Sequence, residues 1–374
     1  MKFLFAGGGT AGHINPALAV ANYIKTRQPD AQIYYIGTAQ KLEARLVPAA
    51  GYEFFTINVS GFKRSLSPSA CVNNIKTVYR AVKSTYDVKH ILKRIEPDVV
   101  IGTGGYVSGP VLRCAAKMGF KTAIHEQNAF PGVTNKLLFN MVDLVMLAMP
   151  KAMDYIKDCK NVVVTGNPIR ADFNNLDKSK SRDKLSVPQD VKMVLSFGGS
   201  LGARPVNEAV AQLLCDRIDD KKMYFCHATG KSGYEGFCQL LDNNGVDINS
   251  KNLRVFEYIN DIYDYMAAAD LIICRAGAIT LCELQSLGRA SVLIPSPYVA
   301  ENHQFHNAMT LKNLNAAEVI EEKDLKDGVL TATVDKLVKT QSITDDMGKA
   351  AAASAISGAT EKIYDCIMSL INRN

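Results

Sequence analysis

Two segments of this chain share one pattern, in which an apolar strand, a glycine-rich turn and a helix follow one another directly. The first is KFLFAGGGTAGHINPALAVANYI from Lys2, and the second is KMVLSFGGSLGARPVNEAVAQLL from Lys192. Other short apolar runs alternate with segments of helical period: QIYYIG, DVVIG, TAIHE, LVMLA, NVVVTG, MYFCHATG, LRVFEYI, LIICRAG, SVLIP and AEVI. Continuous apolar strands separated by helices predict parallel sheets covered on both faces. We therefore expect two similar, doubly wound α/β domains.

The length of the chain agrees with that division. Its 374 residues exceed what one hydrophobic core usually supports, at roughly 150 residues per domain. We place the domains at residues 1–165 and 166–374. The polar stretch from Asn174 to Gln189, rich in Asp, Lys and Ser, is predicted to be the linker.

Composition narrows the class of protein. The hydrophobic fraction of 47% and the charged fraction of 21% are those of an ordinary globular protein. A net charge of +6 is too small to predict nucleic-acid binding, although it favours an anionic membrane surface. Nine cysteines without a C-x-x-C pair indicate reduced thiols and a cytosolic location.

Membrane contact is expected to be peripheral. The apolar run in MKFLFA ends at Gly7, too early for a secretory signal, and no stretch approaches the roughly 18 apolar residues of a transmembrane helix. Residues 72–95 form a basic amphipathic pattern, which predicts either a helix on an anionic bilayer or a core-facing helix with a solvated face.

The first glycine-rich turn matches G-x-G-x-x-G at Gly7, Gly9 and Gly12. A dinucleotide site would also need an acidic residue at the end of the second strand, but QIYYIGT ends in Gly37-Thr38. Such a turn can bind a phosphate or polar sugar at a helix N-terminus, or it can be a tight turn that needs glycine only for its backbone. With a third glycine-rich segment, residues 103–110, the pattern favours a ligand cleft.

Later strand ends also carry candidate ligand-binding residues. RAGAITLCE, residues 275–283, predicts a diphosphate site at a helix start, with the Glu283 carboxylate either accepting ribose hydroxyls or complementing the helix dipole. PSPYVAENHQFHN, residues 295–307, either faces the ligand crevice or forms a solvated loop and cap.

Residues 125–128, HEQN, are costly to bury without partners and therefore favour a site. His13 is a candidate general base, or else a cap or packing residue.

No metal or cofactor is predicted. The sequence has no H-E-x-x-H motif, no Cys/His cluster and no Asp-x-Asp motif of the kind that holds a metal-bound diphosphate. Helix termini and hydrogen bonds would therefore have to stabilise a leaving diphosphate.

Taken together, GGGTAGHINPALA, GTGGYVSGP, HEQNAFPGVTNK, TGNPIR, FGGSLGAR, RAGAITLCE and ENHQFHNA resemble, in order and spacing over nearly the whole chain, the MurG family of bacterial glycosyltransferases. That resemblance implies transfer of N-acetylglucosamine from UDP-GlcNAc to the lipid-linked muramyl-pentapeptide, lipid I, in peptidoglycan synthesis. It implies a GT-B fold of two Rossmann-like domains facing a cleft, the C-terminal domain binding the donor and the N-terminal one the acceptor and the cytoplasmic face of the membrane. The last helix, near residues 351–370, would pack back on the N-terminal domain.

The resemblance also assigns roles to individual residues. Glu283 would hold the ribose, Ile259 the uracil through its backbone, Gln304 the sugar hydroxyls, and Arg170 would reach the nucleotide. Some relatives have two glutamines where this chain has His303-Gln304, so the first sugar contact is open. The remaining donor-site residues implied are Thr10, Ala11, Gly12, Asn128, Ser200, Ala278, Ile279, Thr280, Leu281 and Cys282.

The chemistry expected is a metal-independent, inverting displacement with His13 as the base. Two alternatives stay open at this point. A UDP-GlcNAc 2-epimerase of the same fold would need no acceptor, and an NAD(P)-binding oxidoreductase would need the missing ribose acid.

Overall fold

The computed structural model describes residues 1–59, 84–157, 159, 161–173, 175–326 and 328–373. The chain divides by its contacts into unit 1, Met1–Ile169 with Ile356–Asn374, and unit 2, Arg170–Ala355. The sequence predicts two domains that bind different substrates, with the boundary between residues 165 and 166. Contacts within the chain do not test what a domain binds, so this division stays a prediction.

Unit 1 has, within its described residues, a seven-stranded parallel sheet in the order β3-β2-β1-β4-β5-β6-β7. Successive side chains of β1 alternate between two core clusters: Phe3 and Phe5 lie in one, Leu4 and Ala6 in the other. The sheet is therefore covered on both faces. Its strands are β1 Lys2–Gly7, β2 Gln32–Gly37, β3 Glu53–Thr56, β4 Val99–Gly104, β5 Thr122–Glu126, β6 Leu144–Leu147 and β7 Val162–Val164.

The helices of unit 1 connect these strands. The first begins at Ala11, directly after Thr10, whose backbone is extended and whose carbonyl accepts from the amides of His13 and Ile14. The described helices are α1 Ala11–Arg27, α2 Glu43–Ala49, α3 84–95, α4 Gly105–Lys117 and α5 Val133–Leu138, with a 3₁₀ helix at Pro150–Tyr155.

Unit 2 repeats the arrangement with a six-stranded parallel sheet in its described residues, in the order β10-β9-β8-β11-β12-β13. Its strands are β8 Lys192–Phe197, β9 Met223–Ala228, β10 Leu253–Phe256, β11 Leu271–Cys274, β12 Ala290–Leu293 and β13 Ala317–Val319. In both sheets the strand before the glycine-rich turn, β1 or β8, is an interior strand. The order of strands along the sheet reverses at this strand. The prediction of two Rossmann-like α/β domains is confirmed.

The helices of unit 2 cover its sheet. They are α6 Lys178–Leu185, α7 Arg204–Arg217, α8 Tyr234–Asn243, α9 Ile262–Ala268, α10 Ala278–Leu287, α11 His303–Lys312, α12 Val329–Val338 and α13 Gln341–Ala353. Short 3₁₀ helices lie at Ala171–Phe173, Lys231–Gly233, Ala300–Asn302 and Glu322–Asp324.

The segment predicted as a linker is instead folded into unit 2. It contains α6, which packs on α9, and the Arg182 side chain on it is only 3% exposed. Its guanidinium donates to Asp270 at 2.5 Å and to the carbonyl of Ala268 at 3.0 Å. The linker prediction was wrong because the sequence alone does not distinguish a buried arginine, whose charge is satisfied by hydrogen bonds, from an arginine exposed to solvent.

The last helix, α14, Ala359–Asn372, belongs to unit 1. Its Ile363, Ile367 and Leu370 are buried in the cluster that contains α1, and its Tyr364 hydroxyl accepts from Gln28 Nε2 at 2.8 Å. The predicted range near 351–370 begins too early, because residues 351–353 end α13.

The basic amphipathic stretch is only partly described, since residues 60–83 lie outside the described residues. In α3, Val88, Leu92 and Ile95 are buried and form the core-facing side, while Tyr86 is 73% exposed. Among the residues that the structure describes, no helix is both long and apolar enough to cross a membrane.

Candidate functional site

The first glycine-rich turn lies at the carboxyl end of β1, between β2 and β4. Gly9 has φ +88°, a conformation that favours glycine, and Thr10 and Gly12 are exposed. His13 is half-buried, and its Nδ1 lies 3.2 Å from the Gly8 carbonyl oxygen and 3.2 Å from Thr10 Oγ1. The turn thus presents Thr10, half-exposed Ala11, Gly12 and the imidazole together.

The third glycine-rich segment packs directly against this turn. Gly104 ends β4 and Gly105 begins α4, and both have positive φ. A Cβ at Gly104 would lie 2.7 Å from Cδ2 of His13, and one at Gly105 would lie 2.3 Å from the Gly8 carbonyl oxygen. Thr103 Oγ1 donates to the carbonyl of His13 at 2.7 Å. The first and third glycine-rich segments are therefore in contact within unit 1, and the ligand cleft stays a prediction.

A residue that the sequence analysis missed holds the same turn. The buried Glu43, at the start of α2, accepts hydrogen bonds from the backbone of Gly9 and Thr38. It reaches the end of β2, where a dinucleotide-binding protein would place its ribose-binding acid. The sequence signal was an acid six residues after the strand rather than at the strand end itself.

Most of the HEQN segment supports the loop rather than facing a ligand. His125 and Gln127 are each 2% exposed, and Nε2 of His125 lies 2.9 Å from the Gly166 carbonyl oxygen. Burial lowers the pKa of His125. The Glu126 carboxylate, 1% exposed, accepts from both nitrogens of Asn128 and from Asn135 Nδ2 at 2.7 Å. Asn128 alone of the four is half-exposed.

In unit 2 the second glycine-rich turn follows β8. Gly199 and Gly202 have φ +91° and +75°, and Ser200 and Leu201 between them are exposed, Leu201 to 85%. A Cβ at Gly202 would lie 2.0 Å from the carbonyl oxygen of Thr229, so this turn is held by close backbone packing.

The predicted nucleotide segment begins α10 at the end of β11. Ile279, Thr280, Cys282 and Glu283 are half-buried there. Ala278 is 8% exposed, and Leu281 is fully buried. Ile259, expected to act through its backbone, is 6% exposed.

Glu283 carries the one side-chain carboxyl group of residues 275–283. Burial raises the pKa of Glu283 to about 7, and the charge of Arg170 opposes that shift. Arg170 is exposed, with its guanidinium 5.4 Å from the Phe173 ring and 5.8 Å from the Tyr263 ring. Glu283 is thus the sixth residue of α10, beyond its first turn, where the charge of Arg170 still reaches its carboxyl group.

Gln304 and Asn307, both on α11, hydrogen-bond to loops that follow strands of the same sheet. Oε1 of Gln304 accepts from the backbone of Ser296 at 2.9 Å, which leaves the Nε2 group to donate to a ligand. The buried Asn307, one turn further along α11, donates to the carbonyl of Ala276 at 3.2 Å. Nδ1 of His303 lies 2.8 Å from the Ala300 carbonyl oxygen.

A metal site would need several His, Cys, Asp or Glu side chains close together in the described part of the chain. Within those residues, no group of three or more His, Cys, Asp or Glu side chains could hold an ion.

Comparison with known proteins defines the class. Residues 3–147 match the glycosyltransferase family 28 N-terminal domain, and residues 193–363 match the glycosyltransferase family 28 C-terminal domain. The chain is a glycosyltransferase with the two domains of that class.

Individual relatives narrow the class to one family. A protein of Acetivibrio thermocellus, named UDP-N-acetylglucosamine--N-acetylmuramyl-(pentapeptide) pyrophosphoryl-undecaprenol N-acetylglucosamine transferase, is 46% identical over 99% of this chain and 98% of its own. The crystal structure of Acinetobacter baumannii MurG has a TM-score of 0.80 and 26% identity, covering 98% of this chain and 99% of that one. The chain belongs to the MurG family, as its motifs predicted.

A UDP-GlcNAc 2-epimerase from Neisseria meningitidis also has a similar structure. Its TM-score is 0.65 at 12% identity, covering 99% of this chain and all of that one. Identity this low shows a shared fold only, so it does not favour the epimerase alternative over the transferase. The individual site residues above stay predictions.

Proposed function

We propose that this enzyme transfers N-acetylglucosamine from UDP-GlcNAc to the C4 hydroxyl of the MurNAc unit of undecaprenyl-pyrophosphoryl-MurNAc-pentapeptide. The observation that carries the proposal is the division of chemical groups between the two sheets. His13 stands in the first turn of α1 in unit 1, and Glu283 stands in the second turn of α10 in unit 2, within reach of the charge of Arg170. One set suits a proton acceptor, and the other suits a nucleotide.

In this proposal unit 2 binds the donor. The Glu283 carboxylate accepts the ribose hydroxyls, the backbone of Ile259 contacts uracil, and Gln304 Nε2 donates to the sugar. The amides at the start of α10 and the second glycine turn face the diphosphate, where the positive end of a helix dipole favours anionic oxygens. The other residues proposed for the donor site are Ser200, Ala278, Ile279, Thr280 and Cys282, together with the buried Leu281.

Unit 1 supplies the base and the acceptor contacts. The C4 oxygen of the acceptor forms a bond to the anomeric carbon while the bond from that carbon to the β-phosphate oxygen breaks. UDP leaves with the electron pair, the hydroxyl proton passes to Nε2 of His13, and the configuration inverts. Thr10, Ala11, Gly12 and Asn128 line the substrates around this step.

Transfer of labelled GlcNAc to a soluble lipid I analogue tests the proposal, with and without EDTA. We expect product in both arms, because helix N-termini and Arg170 stabilise the leaving diphosphate in place of a cation. Loss of transfer in EDTA would contradict the metal-free step. Incubation with UDP-GlcNAc alone is the matched control, and formation of UDP-ManNAc would favour the epimerase.

We further propose that the enzyme acts at the cytoplasmic face of the membrane, bound to anionic lipid. Three exposed apolar side chains lie on or just after α5: Val133, Leu137 and Met141, of which Leu137 is 72% exposed. Lys136 lies among them, and the chain carries a net charge of +6. Co-sedimentation with phosphatidylglycerol vesicles should exceed that with phosphatidylcholine vesicles, and the difference should shrink in high salt. Equal binding to both vesicles would contradict the proposal.

A further inference from the structure

Glu43 is a fully buried carboxylate on which two loops converge. Its Oε1 accepts from the amide of Thr38 at 3.1 Å and from the Thr38 hydroxyl at 2.7 Å, and its Oε2 accepts from the amide of Gly9 at 3.1 Å. The side chain is 0% exposed. A buried charge is costly unless hydrogen bonds satisfy it, so these three donors account for its position.

The surrounding backbone is shaped to this side chain. A Cβ at Gly8 would lie 2.5 Å from Oε1 of Glu43, and a Cβ at Gly37 would lie 2.6 Å from its Cγ. Both glycines therefore leave the volume that Glu43 fills. An apolar side chain of that volume would leave the amides of Gly9 and Thr38 without their acceptor, so the carboxylate both fills the space and satisfies these donors.

The Gly9 amide and the Gly8 carbonyl belong to the same peptide group. Glu43 Oε2 accepts from the N–H end of that group, and His13 Nδ1 lies 3.2 Å from the oxygen at its other end. A single peptide thus connects the carboxylate to the imidazole. A negative charge at the N–H end polarises the peptide and makes its carbonyl a stronger acceptor.

We infer that Glu43 is a positioning residue that, through the Gly8–Gly9 peptide, holds the proton of His13 on Nδ1 and stabilises the imidazolium formed during transfer. With Nδ1 as donor to Gly8, Nε2 is the ring nitrogen that takes the acceptor's proton. The inference rests on the proposed function, in which His13 is the base. Glu43 itself is not available as a ribose-binding acid at the end of β2, since its two oxygens are engaged by Thr38 and Gly9.

Two other titratable groups face Glu43. Burial, and secondarily the charge of Glu43, raises the pKa of Tyr35 on β2 and of Tyr106 on α4. Both phenols are therefore neutral through the range in which an imidazole titrates. On the His13 side, Thr10 Oγ1 lies 3.2 Å from Nδ1 and is the second partner of that nitrogen.

The substitution Glu43→Gln tests the inference in the full-length enzyme. It keeps the volume but replaces one acceptor oxygen by a donor, so either Gly9 or Thr38 loses its partner. We expect kcat to fall roughly tenfold to a hundredfold, with the KM for UDP-GlcNAc and the affinity for UDP nearly unchanged. Glu53→Gln is the matched control, because Glu53 lies on the neighbouring β3 with 53% of its side chain exposed.

Two further measurements separate positioning through His13 from a general loss of structure. Nitrogen-15 NMR of the six histidines, with His13 assigned by its alanine variant, should find the proton on Nδ1 in the wild type. In Glu43→Gln the pKa of His13 should fall by roughly half a unit to one unit, because removing a nearby opposite charge disfavours the imidazolium. The acidic limb of the pH profile of kcat/KM should move down with it.

The double variant with His13→Ala decides whether the two residues act together. Its kcat should equal that of His13→Ala alone. A further tenfold loss in the double variant, a wild-type proton on Nε2, or an unshifted His13 pKa in Glu43→Gln would each overturn the inference. Failure of the proposed function is distinct, because it appears as wild-type turnover in His13→Ala or as no transfer by the wild type. The nitrogen-15 measurement on the wild type decides even if Glu43→Gln does not fold.

Discussion

The two glycine-rich turns have the same strand, turn and helix, but they are held in place by different means. In unit 1 a buried carboxylate binds the amide of Gly9, and the carbonyl of Gly8 faces His13. In unit 2 the turn is held by backbone contact, with Gly202 packed on Thr229 and the Gly202 amide donating to the Gly199 carbonyl at 2.9 Å. Among the described residues no carboxylate hydrogen-bonds to the backbone of that second turn.

This difference assigns opposite electrostatic tasks to equivalent positions. A helix N-terminus favours an anion, but a carboxylate beside it offsets that preference and favours a cation instead. The first turn is therefore suited to an imidazolium on His13, and the second is suited to a diphosphate. Similar sequence patterns at two strand ends do not establish similar ligands.

The largest effect expected from this comparison is that of His13→Ala. Loss of a general base should lower kcat roughly a hundredfold to ten-thousandfold, while UDP affinity stays near the wild-type value because UDP is assigned to unit 2. Steady-state transfer kinetics and calorimetric UDP binding measure the two quantities. Turnover within a few-fold of the wild type would remove His13 from the base role.

Glu283→Ala should have the reverse signature. Loss of a charged acceptor for the ribose hydroxyls should weaken UDP binding roughly tenfold to a hundredfold, by about 1.5–3 kcal/mol. The matched control is Glu318→Ala, whose carboxylate forms only a surface pair with Lys336 at 3.3 Å. An unchanged affinity for UDP would show that Glu283 does not bind the ribose. The two glycine-rich turns would then have no distinct ligands assigned to them.

Much of the fold was predictable because it depends on local pattern. Apolar runs of four to six residues and the glycine turns predicted every strand of both sheets except β3. That strand, EFFT, is at an edge and has no buried residue, so it lacked the continuous apolar run used for the others. The polar stretch containing α6 was misjudged because the burial of Arg182 depends on Asp270, far away in sequence.

The site was predictable by segment but not by side chain. Sequence placed HEQN and RAGAITLCE at strand ends, which the structure confirms. It did not reveal that His125, Glu126 and Gln127 are buried supports, or that the Leu281 side chain points into the core. Glu43 was missed because α2 carries it back to the strand end, a contact that no spacing rule indicates.

The pH dependence of donor binding is a smaller effect that sharpens the comparison. Burial raises the pKa of Glu283 to about 7. In the proposed donor site, only the ionised form of this carboxyl group could accept hydrogen bonds from two ribose hydroxyls. UDP affinity should therefore fall by up to about tenfold from pH 8 to pH 6. Glu283→Gln should flatten this dependence.

Stability without ligand should change in the opposite direction. The folded state binds the Glu283 proton more tightly than the unfolded chain does. That contribution is fully present below the unfolded pKa and is lost as pH rises through about 7. Thermal unfolding of the unliganded wild type and of Glu283→Gln across pH 5 to 8 measures this pH-dependent contribution to the free energy of unfolding. A UDP affinity independent of pH would contradict the ribose contact.

The smallest energetic effect is expected from Gly12→Ala. This substitution tests whether glycine is needed here because a substrate approaches the backbone or because the backbone conformation requires it. Gly12 is exposed inside α1, and a Cβ there would have no described neighbour closer than Thr10 Oγ1 at 3.7 Å. Alanine should stabilise the helix by about 0.5–1 kcal/mol, measured by denaturant unfolding. If a substrate closely approaches this backbone, as proposed, transfer should nevertheless fall. Full activity with raised stability would mean that Gly12 does not contact a substrate, and that the first turn acts through His13 alone.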